Sequence, residues 1–249
     1  VGRLFPAGAG TSARCPAGRP ARPQLEPAHR FDGAGPAHFR RYAGISRRPL
    51  CRHPHRGPAR RVGIEDVHRA ALRKEEATIT ADNVTKWFDS NFASISKSEH
   101  SYLAEPQREA ALNQVLRYVE RQHGDWSLIQ QAEVDVSLVK PDYIIEGKID
   151  LVKGENGTVE IVDFKSEKKP DLVKQADRLE QYRRQLHLYA HLIEERTGQK
   201  VSKMHLYYTG EENGVPTITY PYTKTAIDGT VAAFEDTVHK IMRKEYKHC

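Results

Sequence analysis

Cysteine is scarce, with only Cys15, Cys51 and Cys249 in 249 residues. None forms a CxxC pair, which argues against a disulfide framework and for a reduced intracellular, cytoplasmic protein. No apolar run approaches the roughly 18 residues that a membrane-spanning helix needs. There is no GxxxxGK[ST] phosphate loop, so ATP-driven work is not encoded in these residues. Lysine is missing altogether before Lys74.

That last absence divides the chain. Residues 1–62 carry 13 Arg, no Lys and two acids, a net +11, whereas residues 63–249 carry 10 Arg, 16 Lys and 31 acids, a net −5. The overall charge of +6 therefore says nothing about the larger part. The first quarter also holds 9 of the 14 Pro and, with Gly63, 9 of the 17 Gly. Such an irregular segment buries too little apolar surface to offset its ordering entropy, and disorder is expected. It reads as an Arg-rich nucleic-acid-binding arm, as a transit peptide short of Ser and without a Met start, or as coding sequence read out of frame. The abrupt change in Lys usage favours the third. A chain running from Val1 to Cys249 is also expected to be a piece of something longer.

Residues 63–249 behave as one domain. Helical spacing is read in "GIEDVHRAALRK" (Ile64, Val67, Ala71), and in "TADNVTKWFDSNF" after an N-cap at Thr80 or Asp82. It is read again over 106–123 (Ala110, Val115, Leu116, Val119). Three strand-like runs follow, "LIQQAEVDVSLV", "DYIIEGKIDLV" and "TVEIVDFK". A helix at 174–197 (Leu179, Tyr182, Leu186, Tyr189, Ile193) stops at Gly198. Strands "KMHLYYTG" and "TITYPYT" and a helix at about 225–246 complete the order. This predicts an α/β fold: a mixed central β-sheet flanked by helices on both faces, behind an irregular N-terminal segment.

Asn156-Gly157 is a strong two-residue hairpin signal, because a type I′ turn needs positive φ at both positions. With that turn Glu155 faces Thr158, and Asp150 comes directly opposite Asp163, their Cβ atoms about 4.5–5.5 Å apart. A four-residue loop would pair Asp150 with Ile161 instead. Period-two alternation places Lys165 on the Asp163 face, and Gly147 on the face opposite Asp150, where another backbone could approach. Two carboxylates ~5 Å apart repel by about 3 kcal/mol at an effective dielectric near 20. A cation between them removes that cost, and two carboxylates with waters and substrate phosphates are the usual Mg²⁺ arrangement. A nearby lysine can orient water and stabilise charge on phosphate. The plain alternative is a solvent-facing hairpin with incidental charges.

"EGKIDLV", "EIVDFKSE" and "QYRRQLHLYA" together resemble the RecB-type nucleases of the PD-(D/E)xK superfamily. These occur as C-terminal domains of bacterial UvrD/Rep-like DNA helicases and in AddAB-type complexes. The pattern is G-x-x-D (Gly147, Asp150), a strand ending D-x-K (Asp163, Lys165) and a helix with Q-x-x-x-Y (Gln185, Tyr189), and it covers roughly residues 64–249. The resemblance implies a restriction-endonuclease-like core and hydrolysis of DNA phosphodiester bonds with Mg²⁺ or Mn²⁺. Asp150, Asp163 and the Phe164 carbonyl would hold metal, and Lys165 would be the catalytic lysine. Gln185 and Tyr189 would position the lysine or DNA; Tyr189 could equally be plain core. Glu133 matches an acidic position on the preceding strand. The implied partners are single-stranded or linear DNA ends and a helicase domain, in the same chain or a partner subunit, working in recombination or repair. A module without catalysis, binding DNA or scaffolding such a complex, is the alternative.

The departures are specific. The metal-binding His expected on the first helix, in a G-x-x-x-H context, is replaced by Arg61. His68 lies two turns further on, where a lone helical His is usually a packing or surface residue, and His53 and His55 fall in the irregular segment. Many relatives carry a 4Fe–4S cluster held by four Cys. The chain stops at Cys249, about where that motif would begin, so no cluster is assembled by these residues.

Overall fold

The β-branched runs flanking Gly157 fold back on each other as an antiparallel hairpin, β2 (Ile144–Glu155) and β3 (Thr158–Lys165). Glu155 pairs with Thr158 and Leu151 with Val162, so two residues form the connection and the two-residue register holds. Gly157 has φ +82°, as the turn requires. The computed structural model describes residues 59–99, 104–155 and 157–245. Residues 1–58, with Cys15, Cys51, His53 and His55, lie outside them, as do Asn156 and Cys249.

Five strands form the sheet in the order β1-β2-β3-β4-β5, with β1 (Ile129–Val139), β4 (Lys200–Tyr208) and β5 (Thr217–Pro221). All neighbours are antiparallel except β3 and β4, which run parallel. A parallel pair needs a crossover, and α4 (Ala176–Thr197) supplies it. The expected mixed sheet flanked by helices is the observed fold.

On one face pack α1 (Ala59–Leu72), α2 (Ala81–Glu99) and α3 (Glu105–Arg121). Their Ile64, Val67, Val84, Phe88, Val115 and Tyr118 are buried against Leu151 and Val162 of the sheet. The Thr80 hydroxyl accepts the Asn83 N–H at 3.3 Å, so Thr80 caps α2. In α3 the fully buried residues are Ala111, Val115 and Tyr118; of the expected stripe Val115 is buried, Leu116 and Val119 are half-buried against the same core, and Ala110 is exposed. A tyrosine can turn inward there because its hydroxyl finds a buried partner in His68, 2.7 Å away. On the other face α4 and α5 (Lys224–Met242) bury Leu179, Tyr182, Leu186, Ile193, Ile227 and Val231 against Ile149, Val152 and Ile161. Among the described residues no helix is long and apolar enough to cross a membrane.

Strand alternation breaks in the middle of β1 and β2, and this break positions the site. Ile149 packs on the α4 face, yet Leu151, two residues on, packs on the α1–α3 face. The partner strand inverts in step, with Val134 on the α4 face and Ala132 on the other. Between them Glu133 has φ +53°, a conformation that costs a non-glycine residue on the order of 1 kcal/mol or more and clusters at functional sites. The pairs Ala132–Leu151 and Val134–Ile149 bracket Glu133 and Asp150, so both strands twist over at those two residues.

Candidate active site

Past Leu151–Val162 the paired register of β2 and β3 ends, and a side chain takes over. Asp150 Oδ2 accepts the backbone N–H of Phe164 at 2.8 Å. The carboxylate of β2 is thereby fixed to the peptide that joins Asp163 to Phe164. Asp150 and Asp163 are buried, 8% and 4% exposed, and so is Lys165 at 4%. These are not incidental charges on a solvent-facing hairpin: ionised side chains are buried only when paired or engaged with a ligand.

Lys165 Nζ lies 2.5 Å from Asp163 Oδ2 and donates to Gln185 Oε1 at 3.4 Å. Gln185 Nε2 donates to the Tyr189 hydroxyl at 2.7 Å. One helical turn separates Gln185 from Tyr189, so α4 delivers both from one face, toward Lys165. Gly147 also faces α4: a Cβ there would stand 2.9 Å from Tyr189 Cε1. The expectation that another backbone approaches at Gly147 is corrected. The alternation inverts at Asp150, and the neighbour at Gly147 is an aromatic ring.

Glu133 pairs with Lys148 at 2.5 Å. That bond, outweighing the burial that opposes it, raises the Lys148 ammonium above its ordinary pKa, with Glu65 of α1 adding to the effect. Glu65 of α1 is thus near enough to Lys148 for its charge to act there. Arg61 precedes it by one turn of α1, and its side chain lies outside the described residues.

His68 is a packing residue. It is 1% exposed, its Nε2 is 2.7 Å from the Tyr118 hydroxyl, and its ring centroid lies 5.5 Å from that of Phe164. Burial, reinforced by the positive charge of Lys153, pushes its pKa down to about 3, so the imidazole is neutral at physiological pH. The Phe164 ring meets Tyr118 and Tyr207 as well, at 5.3 and 5.4 Å. An aromatic cluster thus anchors the residue between Asp163 and Lys165.

Three further side chains reach the site. The Tyr182 ring lies under the Lys165 ammonium, 4.0 Å from Nζ to centroid. Arg178 Nε donates to the Tyr182 hydroxyl at 3.1 Å, which donates to Glu167 Oε1 at 3.2 Å, and Arg178 pairs with Glu167 directly. In the sequence Tyr182 is one member of an apolar stripe. The available signal is its place three residues before Gln185 and seven before Tyr189, the same side of a helix.

The sequence profile of the PD-(D/E)XK nuclease superfamily matches residues 37–248. The chain belongs to that superfamily. No curated protein matches it by sequence comparison. Among solved structures it is similar to a provisionally designated exonuclease from Eubacterium rectale, at 14% identity and a TM-score of 0.48, over 81% of this chain and 71% of that one. It is also similar to SSO0001, at 15% identity and a TM-score of 0.33, over 71% of this chain and 85% of that one.

Members of the superfamily generally use divalent metals such as Mg²⁺ or Mn²⁺. Among the described residues no group of three or more His, Cys, Asp or Glu is arranged as a ready metal site. The donors present still fit a hard cation. Asp150 and Asp163 are two buried carboxylates, the first bonded to the Phe164 N–H, and Mg²⁺ is commonly held by one or two carboxylates with waters and phosphate oxygens completing its shell.

Proposed function

We propose that this protein is a Mg²⁺- or Mn²⁺-dependent deoxyribonuclease. It is the RecB-type nuclease part of a helicase–nuclease that acts on single-stranded or linear DNA ends in recombination or repair, in the cytoplasm. The observation that carries this reading is the buried Asp163–Lys165 pair beside Asp150, which holds the Phe164 peptide. The pairing sequence G-x-x-D, D-x-K and Q-x-x-x-Y supports the RecB-type assignment and, with it, the helicase partner.

Asp150, Asp163 and the Phe164 carbonyl would hold the metal. A bound divalent ion supplies Lewis-acid polarisation of the phosphate and a lowered pKa for the attacking water. The residues of the chain do the rest. Asp150 holds the Asp163–Phe164 peptide by its N–H, which fixes the end of β3 from which Asp163 and Lys165 project. Lys165, its three N–H directions already engaged, acts through the charge of its ammonium, which stabilises negative charge developing on the phosphate most strongly in a site shielded from water. Gln185 turns its carbonyl oxygen to that ammonium because Tyr189 accepts from the other end of the amide. Glu133, fixed by Lys148, would place a further carboxylate on the strand next to Asp150. Hydrolysis joins the water oxygen to phosphorus and breaks one P–O ester bond, and the leaving oxygen takes up a proton.

The test uses end-labelled linear single-stranded DNA with Mg²⁺ or Mn²⁺, the parent protein, Asp163→Ala and Lys165→Ala. Cleavage by the parent alone is the expected result. Equal cleavage by all three would remove the assignment. DNA binding without metal and without cleavage would favour a non-catalytic module, the reading that Arg61 at the expected His position supports.

A further inference from the structure

We infer that Tyr182 is the positioning residue for Lys165, its ring serving as the third wall of the seat that holds the ammonium; this inference rests on the nuclease reading above. A lysine ammonium has three protons and no acceptor. Two directions are taken by oxygens, Asp163 Oδ2 at 2.5 Å and Gln185 Oε1 at 3.4 Å. The third meets the face of the Tyr182 ring at 4.0 Å. An aromatic face attracts a cation through its quadrupole, more strongly when water is excluded, and Lys165 is 4% exposed. A lysine stem has four rotatable carbons and selects no geometry by itself. The ring occupies the space on the α4 side that Nζ would otherwise be free to enter.

The ring is in turn fixed from behind. Its hydroxyl lies between Arg178 Nε, 3.1 Å away, and Glu167 Oε1, 3.2 Å away. Glu167 belongs to the segment leaving β3 and is pinned by its backbone. Its carbonyl accepts the Gly210 N–H at 3.2 Å, and a Cβ on Gly210 would stand 2.6 Å from the Glu167 carbonyl carbon. The Lys165 carbonyl likewise accepts the Thr209 N–H at 2.8 Å. Both ends of the arrangement, the lysine backbone and the anchor of the ring, are therefore tied to the same connection after β4.

The experiment compares the full chain with Tyr182→Phe, Tyr182→Leu and Tyr182→Met, the last as a second ring-free variant should Leu fold poorly. Two readouts are taken. One is the NMR position of the Lys165 ε-methylene and ammonium signals, assigned by their loss in Lys165→Arg, which a ring at this distance shifts upfield. The other is the kcat and KM of cleavage of linear single-stranded DNA in Mn²⁺. The expected result is an upfield shift in wild type and Tyr182→Phe that is lost in Tyr182→Leu and Tyr182→Met. With it, kcat falls about 100-fold in the ring-free variants, the scale of a misplacement near 1 Å, at unchanged KM, and Tyr182→Phe restores it. Stability behaves differently, because Tyr182→Phe removes the hydroxyl that bridges Arg178 and Glu167, leaving only their direct pair, and lowers Tm. Lys165 signals that stay put in the ring-free variants, or signals that move while kcat does not, overturn the inference. A wild-type protein that cleaves nothing yet shows the shift overturns the nuclease reading instead.

Discussion

The Tyr189 ring fills the space that a Cβ on Gly147 would need, with Cε1 2.9 Å from that position. Through Gln185 the same tyrosine is linked to Lys165, so a single methyl on β2 acts on the site. Gly147→Ala is expected to cost about 1–3 kcal/mol, the usual penalty of overpacking, measured by urea denaturation, and to lower cleavage. In a Tyr189→Ala background the same substitution should cost little, because the contact is gone. Equal costs in both backgrounds would show that the ring is not what residue 147 accommodates.

Much of this was legible because local chemistry and global fold agree. The Asn156-Gly157 turn set the β2–β3 register, and the three- and four-residue steps of α4 set its buried face. The twist at Glu133 and Asp150 was not legible. Alternation assumes a continuous pleat, and neither Gly nor Pro marks the position where Glu133 adopts positive φ. Tyr182 was hidden differently: Leu179, Tyr182 and Leu186 are all buried, so one aromatic residue both completes the stripe and covers Lys165. His68 and Tyr118 satisfy each other from separate helices, a pairing no single-helix pattern encodes. α3 consequently buries Tyr118 most deeply, with the aliphatic Leu116 and Val119 at the margins of the same face.

The Asp163–Lys165 pair, 5% and 4% exposed at the side chain, has a stability signature distinct from its catalytic one. Asp163→Ala leaves a buried ammonium without its carboxylate and should cost about 3–5 kcal/mol. Replacing both partners, as in Asp163→Leu with Lys165→Met, should recover most of that loss, since apolar isosteres of a buried pair are often neutral. Both proteins should be inactive. Guanidinium titrations would show it, and a double variant no more stable than Asp163→Ala would contradict the buried pairing.

His68 makes stability depend on pH. Its folded pKa is depressed to about 3 from an unfolded value near 6.5. The unfolded chain therefore binds the proton first as pH falls. The contribution of His68 is complete above about pH 6.5, declines by up to about 1.4 kcal/mol per pH unit below it, and levels off near the folded pKa. His68→Gln can still meet the Tyr118 hydroxyl but does not titrate. The difference in unfolding free energy between wild type and His68→Gln should shrink steadily from pH 6.5 toward pH 4. A constant difference would mean that the imidazole is not buried in neutral form.

Asp150→Asn separates charge from geometry at the metal site. The asparagine carbonyl can still accept the Phe164 N–H that Asp150 Oδ2 accepts at 2.8 Å, so the β2–β3 junction stays closed. The loss of stability should stay within about 1.5 kcal/mol, that of weakening one hydrogen bond. Cation binding should suffer far more, because Mg²⁺ and Mn²⁺ need the carboxylate charge. A ligand at 100 times its Kd stabilises the folded state by about 2.7 kcal/mol. Wild type should therefore show a clear rise in Tm with Mn²⁺, saturating with concentration, while Asp150→Asn and Asp163→Asn show little or none. Because this readout involves no DNA, it tests the two carboxylates independently of cleavage. A Tm rise that persists in both variants would place the cation elsewhere and separate Asp150 and Asp163 from the metal.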